Sequence, residues 1–314
     1  MICPPEPYLH SYVEDFGQLL QLLPISKSEV PMLRIDSYFT NGKVNKTCQD
    51  YVIHGETPVP YVILCDGCSS SRFTDVGARI LAHSAKEALN VLKPFEVLHT
   101  NNRQEYWDDF GHATISFAKG SIKNLGLPNE SLDATLMIMF YIEEEKSLRC
   151  LVYGDGCIVF LKDNYPITIY NFSFEGNAPY YLTYRIDPER RKLYENFVKD
   201  LNGATQRQII TFTDGREYPF CRSTSLYNKE NVLDCDIGKV FNGALLCSDG
   251  ISSFVNFENA ERVDVKHVAE HFTAFKNFNG EFIKRRIRRA MEDMSKNQIH
   301  NTDDVSVGGI IFNG

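Results

Sequence analysis

Nine consecutive residues, Ala134 to Ile142, are apolar except for Thr135, with no polar face recurring among them. The run is too short to cross a bilayer, which takes about 20 residues. It suits a central strand covered on both faces, and that cover demands a layer on each side of its sheet. The neighbouring segments supply the layers. Tyr51-Val52-Ile53, Tyr61 to Cys65, Leu148 to Tyr153, Cys157 to Leu161, Gly243 to Cys247 and Val305 to Phe312 read as strands bounded by turn residues. Asp75 to Leu92 and Asp108 to Asn124 read as helices, as do Val265 to Phe275 and Phe282 to Met294. The order is strands, two helices, strands, two helices, strand. A βαβ repeat would alternate strand with helix, so the pattern implies an α+β fold: two mainly antiparallel sheets packed together, with a helix pair on each outer face. Residues 1–30 and 165–240 are not ordered by this reading.

Composition narrows the class. With 21 Phe and 16 Tyr in 314 residues, too many rings are present for a disordered chain. The net charge of −8 argues against a nucleic-acid footprint. The basic cluster Lys284-Arg285-Arg286 and Arg288-Arg289 alternates with Ile283, Ile287, Ala290 and Met294 at helical spacing, so it coats the wet face of an amphipathic helix. Met1-Ile2-Cys3-Pro4-Pro5 lacks the basic start and apolar core of a secretory signal, which leaves the cytoplasm as the expected compartment and no membrane partner. Nine scattered cysteines, several inside apolar runs, read as small buried hydrophobes in a reducing environment. Cys65 and Cys68 form a CxxC, but no second pair or nearby His completes a zinc set. No linker divides the chain, so residues 1–314 are expected to form one domain.

Single aspartates at strand ends carry the chemistry. Asp66-Gly67 follows one strand, Asp155-Gly156 another and Asp249-Gly250 a third, while Asp303-Asp304 and Asp50 each precede one. Asp-Gly is a common turn pair, and Asp214-Gly215 reads as a plain turn. Carboxylates on rigid strand ends are also what Mg²⁺ or Mn²⁺ require, and two such ions sharing a carboxylate can hydrolyse a phosphate ester. Spacing alone does not bring these strand ends together. Ser69-Ser70-Ser71 lacks a nucleophile elbow, and His267 and His271, although four residues apart, lack a zinc motif.

These pieces, in this order, resemble the metal-dependent protein serine/threonine phosphatases of the PP2C (PPM) family. The resemblance runs from Gly42 to Phe312 through Gln49-Asp50, Val62 to Gly67, Asp75-Val76-Gly77-Ala78, Asp133 to Leu136, Gly154-Asp155-Gly156, Leu246 to Gly250 and Thr302 to Ser306. It implies a four-layer αββα sandwich, and a flap within 165–240 that faces substrate. By the same resemblance Asp66 would bridge two metal ions, Mn²⁺ or Mg²⁺, and the Gly67 carbonyl would help bind one. Asp249 and Asp303 would hold the other ion, Asp50 would fix metal-bound water, and Asp155 with Asp249 could hold a third, weaker ion. The implied reaction is hydrolysis of phosphoserine or phosphothreonine in proteins or peptides by a metal-bridging hydroxide. Asn45 stands where the family has a phosphate-gripping Arg, Gln49 where it often has Glu, and Cys68 where some members have His. Asp304 stands where Asn is usual, and it either orients its neighbour or adds negative charge. The loss of the Arg keeps two alternatives open: an inactive phosphopeptide-binding or regulatory module, and a small-molecule phosphohydrolase.

Overall fold

Strand alternation sets the layers. The computed structural model describes residues 32–93, 103–162, 167–200, 207–211, 222–223, 230–236 and 241–313. One sheet has seven strands: β1 (Met32–Thr40), β15 (Val305–Asn313), β11 (Gly243–Cys247), β6 (Gly156–Leu161), β7 (Thr168–Phe174), β8 (Arg207–Thr211) and β9 (Arg222–Ser223), in that spatial order. The other has five: β10 (Glu230–Asp236), β5 (Ser147–Tyr153), β4 (Leu136–Ile142), β3 (Tyr61–Asp66) and β2 (Asp50–Gly55). Every pairing in both sheets is antiparallel.

Because successive side chains point to opposite faces, β3 sends Val62 and Leu64 to the layer between the sheets and Ile63 and Cys65 to the helices outside. β11 does the same, with Ala244 and Leu246 inward and Leu245 and Cys247 outward. Met137, Met139, Ile158 and Ile310 also pack in the inter-sheet core. Helices α1 (Thr74–Leu92) and α2 (Arg103–Leu125) cover the five-stranded sheet, and α4 (Val265–Thr273) and α5 (Phe282–Ser295) cover the seven-stranded one. The expected αββα sandwich is therefore present. Each large apolar side chain buried in these layers contributes about 1.5–3 kcal/mol.

The expected helices hold with shifted ends. α2 begins five residues before Asp108, because Tyr106 and Trp107 are also buried against the sheet. α4 stops at Thr273, after which Phe275 packs edgewise on Phe282. The central run pairs as a strand from Leu136, while Ala134 makes a single bridge to Gly67. The basic helix buries Ile283, Ile287, Ala290 and Met294, and Asp36 of β1 accepts the Ile283 amide at 2.6 Å at its start. β1, a long edge strand paired with β15 over its whole length, was not anticipated, nor was a small sheet of β13 (Glu261–Arg262), β12 (Phe254–Asn256) and β14 (Ile299–Asn301). In the segment that sequence left unordered, β7 is followed by helix α3 (Pro188–Asp200), and β10 crosses to the edge of the other sheet. Asp214-Gly215 lies outside the described residues. Among the described residues, no helix is long and apolar enough to cross a membrane.

Candidate functional site

Antiparallel register gathers the strand-end aspartates at one end of the sandwich. Asp50 opens β2 and Asp66 closes β3, and the pairing sets them directly opposite each other. Asp155 occupies the link by which the chain leaves β5 in one sheet and enters β6 in the other. Gly154 makes that link possible: its φ is 96°, and a Cβ there would meet the Thr135 side chain at 2.8 Å. β11 and β15 are neighbours with Cys247 opposite Val307, so Asp249 and Asp303 extend from the same edge. Gly250 permits their close approach, since a Cβ there would lie 1.7 Å from the Asp304 carbonyl oxygen.

Asp66, Gly67, Asp155, Asp249 and Asp303 line one cleft of about 260 Å³. Asp50 lies beneath it, 1% exposed, and accepts a hydrogen bond from Ser248 Oγ at 2.7 Å. Ser248 in turn accepts the Ser306 amide, which ties the floor of the cleft to β15. Asp66 is within hydrogen-bonding reach of both Asp50 and Asp249.

The cluster carries strong electrostatic stress. Burial, reinforced by the charges of Asp50 and Asp249, holds the Asp66 carboxyl well above the usual carboxylate range. Burial pushes Asp50 up to about 7, and burial with the neighbouring Asp249 charge does the same to Asp155. Asp249 is raised by burial and by the charge of Asp303. Crowded carboxylates must share protons or meet a cation. An all-oxygen, acidic donor set fits a hard divalent ion such as Mg²⁺ or Mn²⁺. Among the described residues, no three Asp, Glu, His or Cys side chains form a ready-made metal cage.

Asp304 has a different role from its neighbour. It is 3% exposed. Its Oδ1 accepts from the Gly42 amide at 2.7 Å and from Asn45 Nδ2 at 2.9 Å, and its Oδ2 accepts the Gln49 amide at 2.6 Å. Asp304 therefore staples the 42–49 loop to the start of β15, and its charge is met by three donors. Asn45 also donates to Asp303 at 3.2 Å, so its amide is committed to this staple. Of the two lysines near the missing Arg, Lys46 lines a second cleft with Asn45 and Gln49. The charge of Lys43 instead adds to burial in holding His300 below its ordinary pKa.

Residues from the unordered segment also reach the site. Asn177, Pro179 and Tyr181 line the same cleft as the aspartates. Burial, with Cys68 and Asp155 close by, raises the Tyr181 phenol far above its ordinary value, so the group stays protonated and can donate a hydrogen bond. No sequence signal marked Tyr181, because its neighbours Tyr180 and Tyr184 look the same and only tertiary packing separates them. Cys68 lines the cleft, and its Sγ lies 3.1 Å from Ser70 Oγ. Five cysteines, at 48, 65, 150, 157 and 247, are buried, as expected.

A family model described as Protein phosphatase 2C matches residues 41–293. The chain belongs to the protein phosphatase 2C family. The PP2C fold also appears in solved structures. The chain resembles a bacterial serine phosphatase with a TM-score of 0.54 at 14% identity, covering 90% of this chain and 99% of that one. It resembles the serine/threonine phosphatase Stp1 from Staphylococcus aureus with a TM-score of 0.52 at 14% identity, covering 93% of this chain and 100% of the other. The catalytic domain of the serine/threonine phosphatase PstP, in complex with two manganese ions, gives 0.50 at 17% identity, covering 90% and 99%. No curated protein matches the chain by sequence. At such identities these likenesses speak for the PP2C fold alone.

Proposed function

We propose that this PP2C-family chain is a metal-dependent phosphatase that hydrolyses phosphoserine and phosphothreonine monoesters in proteins or peptides. The observation that carries the reading is the convergence of Asp66, Asp155, Asp249 and Asp303 on one cleft, with Asp50 buried beneath. Asp66, the Gly67 carbonyl, Asp249 and Asp303 would hold two Mn²⁺ or Mg²⁺ ions, with Asp155 available to a third. When bound, such ions neutralise phosphoryl oxygens and raise the acidity of water, which are the two requirements of phosphomonoester hydrolysis.

The chain's own groups supply the rest. Asp50, fixed by Ser248, lies against Asp66 beneath the cleft, where its carboxyl can orient Asp66 and exchange a proton with it. Gln49 donates Nε2 to Thr74 at 2.6 Å, which holds its side chain at the rim. Tyr181, kept neutral, can donate a hydrogen bond to the ester or leaving oxygen. Lys46 offers a positive charge to the incoming phosphate from beside Gln49.

The test is manganese-dependent release of phosphate from an aryl phosphate and a phosphothreonine peptide, with Asp66→Asn and Asp249→Asn. Turnover that requires metal and both aspartates is expected. Metal-dependent activity that survives loss of Asp66 would sink the proposal. The commitment of Asn45 to Asp303 and Asp304 favours one second reading, a phosphopeptide-binding module without turnover. In that case the peptide binds and no phosphate appears over a long time course.

A further inference from the structure

Beside the aspartate cleft runs a second groove of about 370 Å³, and the two share Cys68, Ser70, Asn177, Pro179 and Tyr181 as a common wall. The far wall is helix α3. Its Leu193 and Phe197, one helical turn apart, are 68% and 47% exposed. Behind them Tyr194 is buried and stacks on Tyr184 with ring centroids 4.7 Å apart, and Tyr194 Oη donates to the Ala178 carbonyl at 3.2 Å. This wall is therefore rigid where it meets the groove.

The groove floor is charged but matched. Asp133, 1% exposed, takes both guanidinium nitrogens of Arg190 and also the Ser71 hydroxyl at 2.7 Å. Arg190 stacks over Tyr184 as well. With its ionic groups satisfied by each other, the groove offers, among the described residues, apolar and aromatic surface and no unmatched charge to select an acidic or basic occupant.

We propose that this groove receives an apolar side chain of a phosphorylated polypeptide, a few residues from the phosphorylated one. The continuity of the two clefts carries this. A phosphoryl group among the aspartates leaves the extended peptide on either side to run over the shared wall at about 3.3 Å per residue. Leu193 and Phe197 would then be specificity-determining residues. The inference rests on the phosphatase reading above, because it takes the aspartate cleft as the phosphate site.

The experiment uses a phosphothreonine peptide with alanine flanks and six variants that place one Phe at each position from three before to three after the phosphothreonine. The readout is the ratio of kcat/KM for each Phe peptide to the alanine peptide. At one position the wild-type ratio is expected to reach about tenfold. In a Leu193→Ser/Phe197→Ser variant, with folding checked by its melting curve, that ratio should fall to near one. A wild-type ratio near one at every position overturns the proposal, as does a gain that survives in the variant. If no peptide is turned over, the phosphatase reading fails separately, and the same ratios measured as binding by fluorescence anisotropy decide the groove. A dimer in sedimentation that the double substitution dissociates, with all ratios near one, would assign the groove to a second copy of the chain and overturn the proposal.

Discussion

Asn45 donates its side-chain amide to Asp304 at 2.9 Å across almost the whole length of the chain. The contact ties the loop that leads into Asp50 and β2 to the loop before β15 that carries Asp303. Position 45, where the family resemblance implies a phosphate grip, is here part of the scaffold. Asp304 uses both oxygens as acceptors, Oδ1 twice and Oδ2 once. Asn could not replace it, because its amide nitrogen would face the Gln49 N–H or the Gly42 N–H. Asp304→Asn is therefore expected to destabilise the protein by about 1–3 kcal/mol. Thermal or urea unfolding checks this, and an unchanged midpoint would contradict the staple.

Asp66 is held well above the usual carboxylate range and lies in reach of both Asp50 and Asp249. Asp66→Asn should abolish tight manganese binding and lower turnover at least about 10²-fold. The same substitution should raise the melting temperature of the metal-free protein near neutral pH, because it removes a buried carboxyl that must take up a proton to fold without a cation. Calorimetric titration with Mn²⁺ and a melting curve read the two effects separately.

Metal-free stability should fall as pH rises. The folded pKa values of Asp50 and Asp155 are raised from 3.8 to about 7 by burial. The native state thus binds more protons than the unfolded chain between those values, and stability declines through that window. Protonated at pH 5, these carboxyls should allow a higher melting temperature than at pH 8. Saturating Mn²⁺ or Mg²⁺ should restore more stability at pH 8 than at pH 5, since protons no longer compete for the oxygens. Equal melting temperatures at the two pH values would argue against the crowding.

Arg190 and Asp133 anchor α3 beside the cleft. Removing Arg190 alone leaves a buried carboxylate with Ser71 as its remaining side-chain donor. Arg190→Ala should cost about 2–3 kcal/mol, whereas Asp133→Ala/Arg190→Ala should cost less than the sum of the single changes. A double-mutant cycle on unfolding free energies gives the answer.

Lys46 lines the cleft that adjoins Gln49, whereas Lys43 faces His300. Lys46→Ala should raise KM for a phosphothreonine peptide about fivefold with little change in kcat, and Lys43→Ala should do less. The difference should shrink at high salt, as expected for an exposed charge.

Much of this architecture is written in local pattern. The run into Ile142, the alternation in Tyr61 to Cys65 and the helical spacing of Ile283, Ile287, Ala290 and Met294 each dictate one element, and together they imply the αββα layers. The aspartates at 50, 66, 155, 249 and 303 are visible because each stands at the end of an apolar strand. β1 escaped because the run Met32–Thr40 mixes Arg, Asp and Ser with its apolar residues and is only half-buried at a sheet edge. α3 escaped because most of its surface is polar, so its short buried face carries little periodicity.

Sequence alone determined which side chains could bind a hard cation and which segments could be strands, since both follow from residue type and short-range period. It did not determine that Asp50 stands opposite Asp66, that Asn45 serves Asp303 and Asp304, or that Tyr181 lines the cleft. Those relations join residues tens to hundreds of positions apart. They are set by strand register and by the way two sheets stack, which depend on the burial of the whole core rather than on any local stretch of chain.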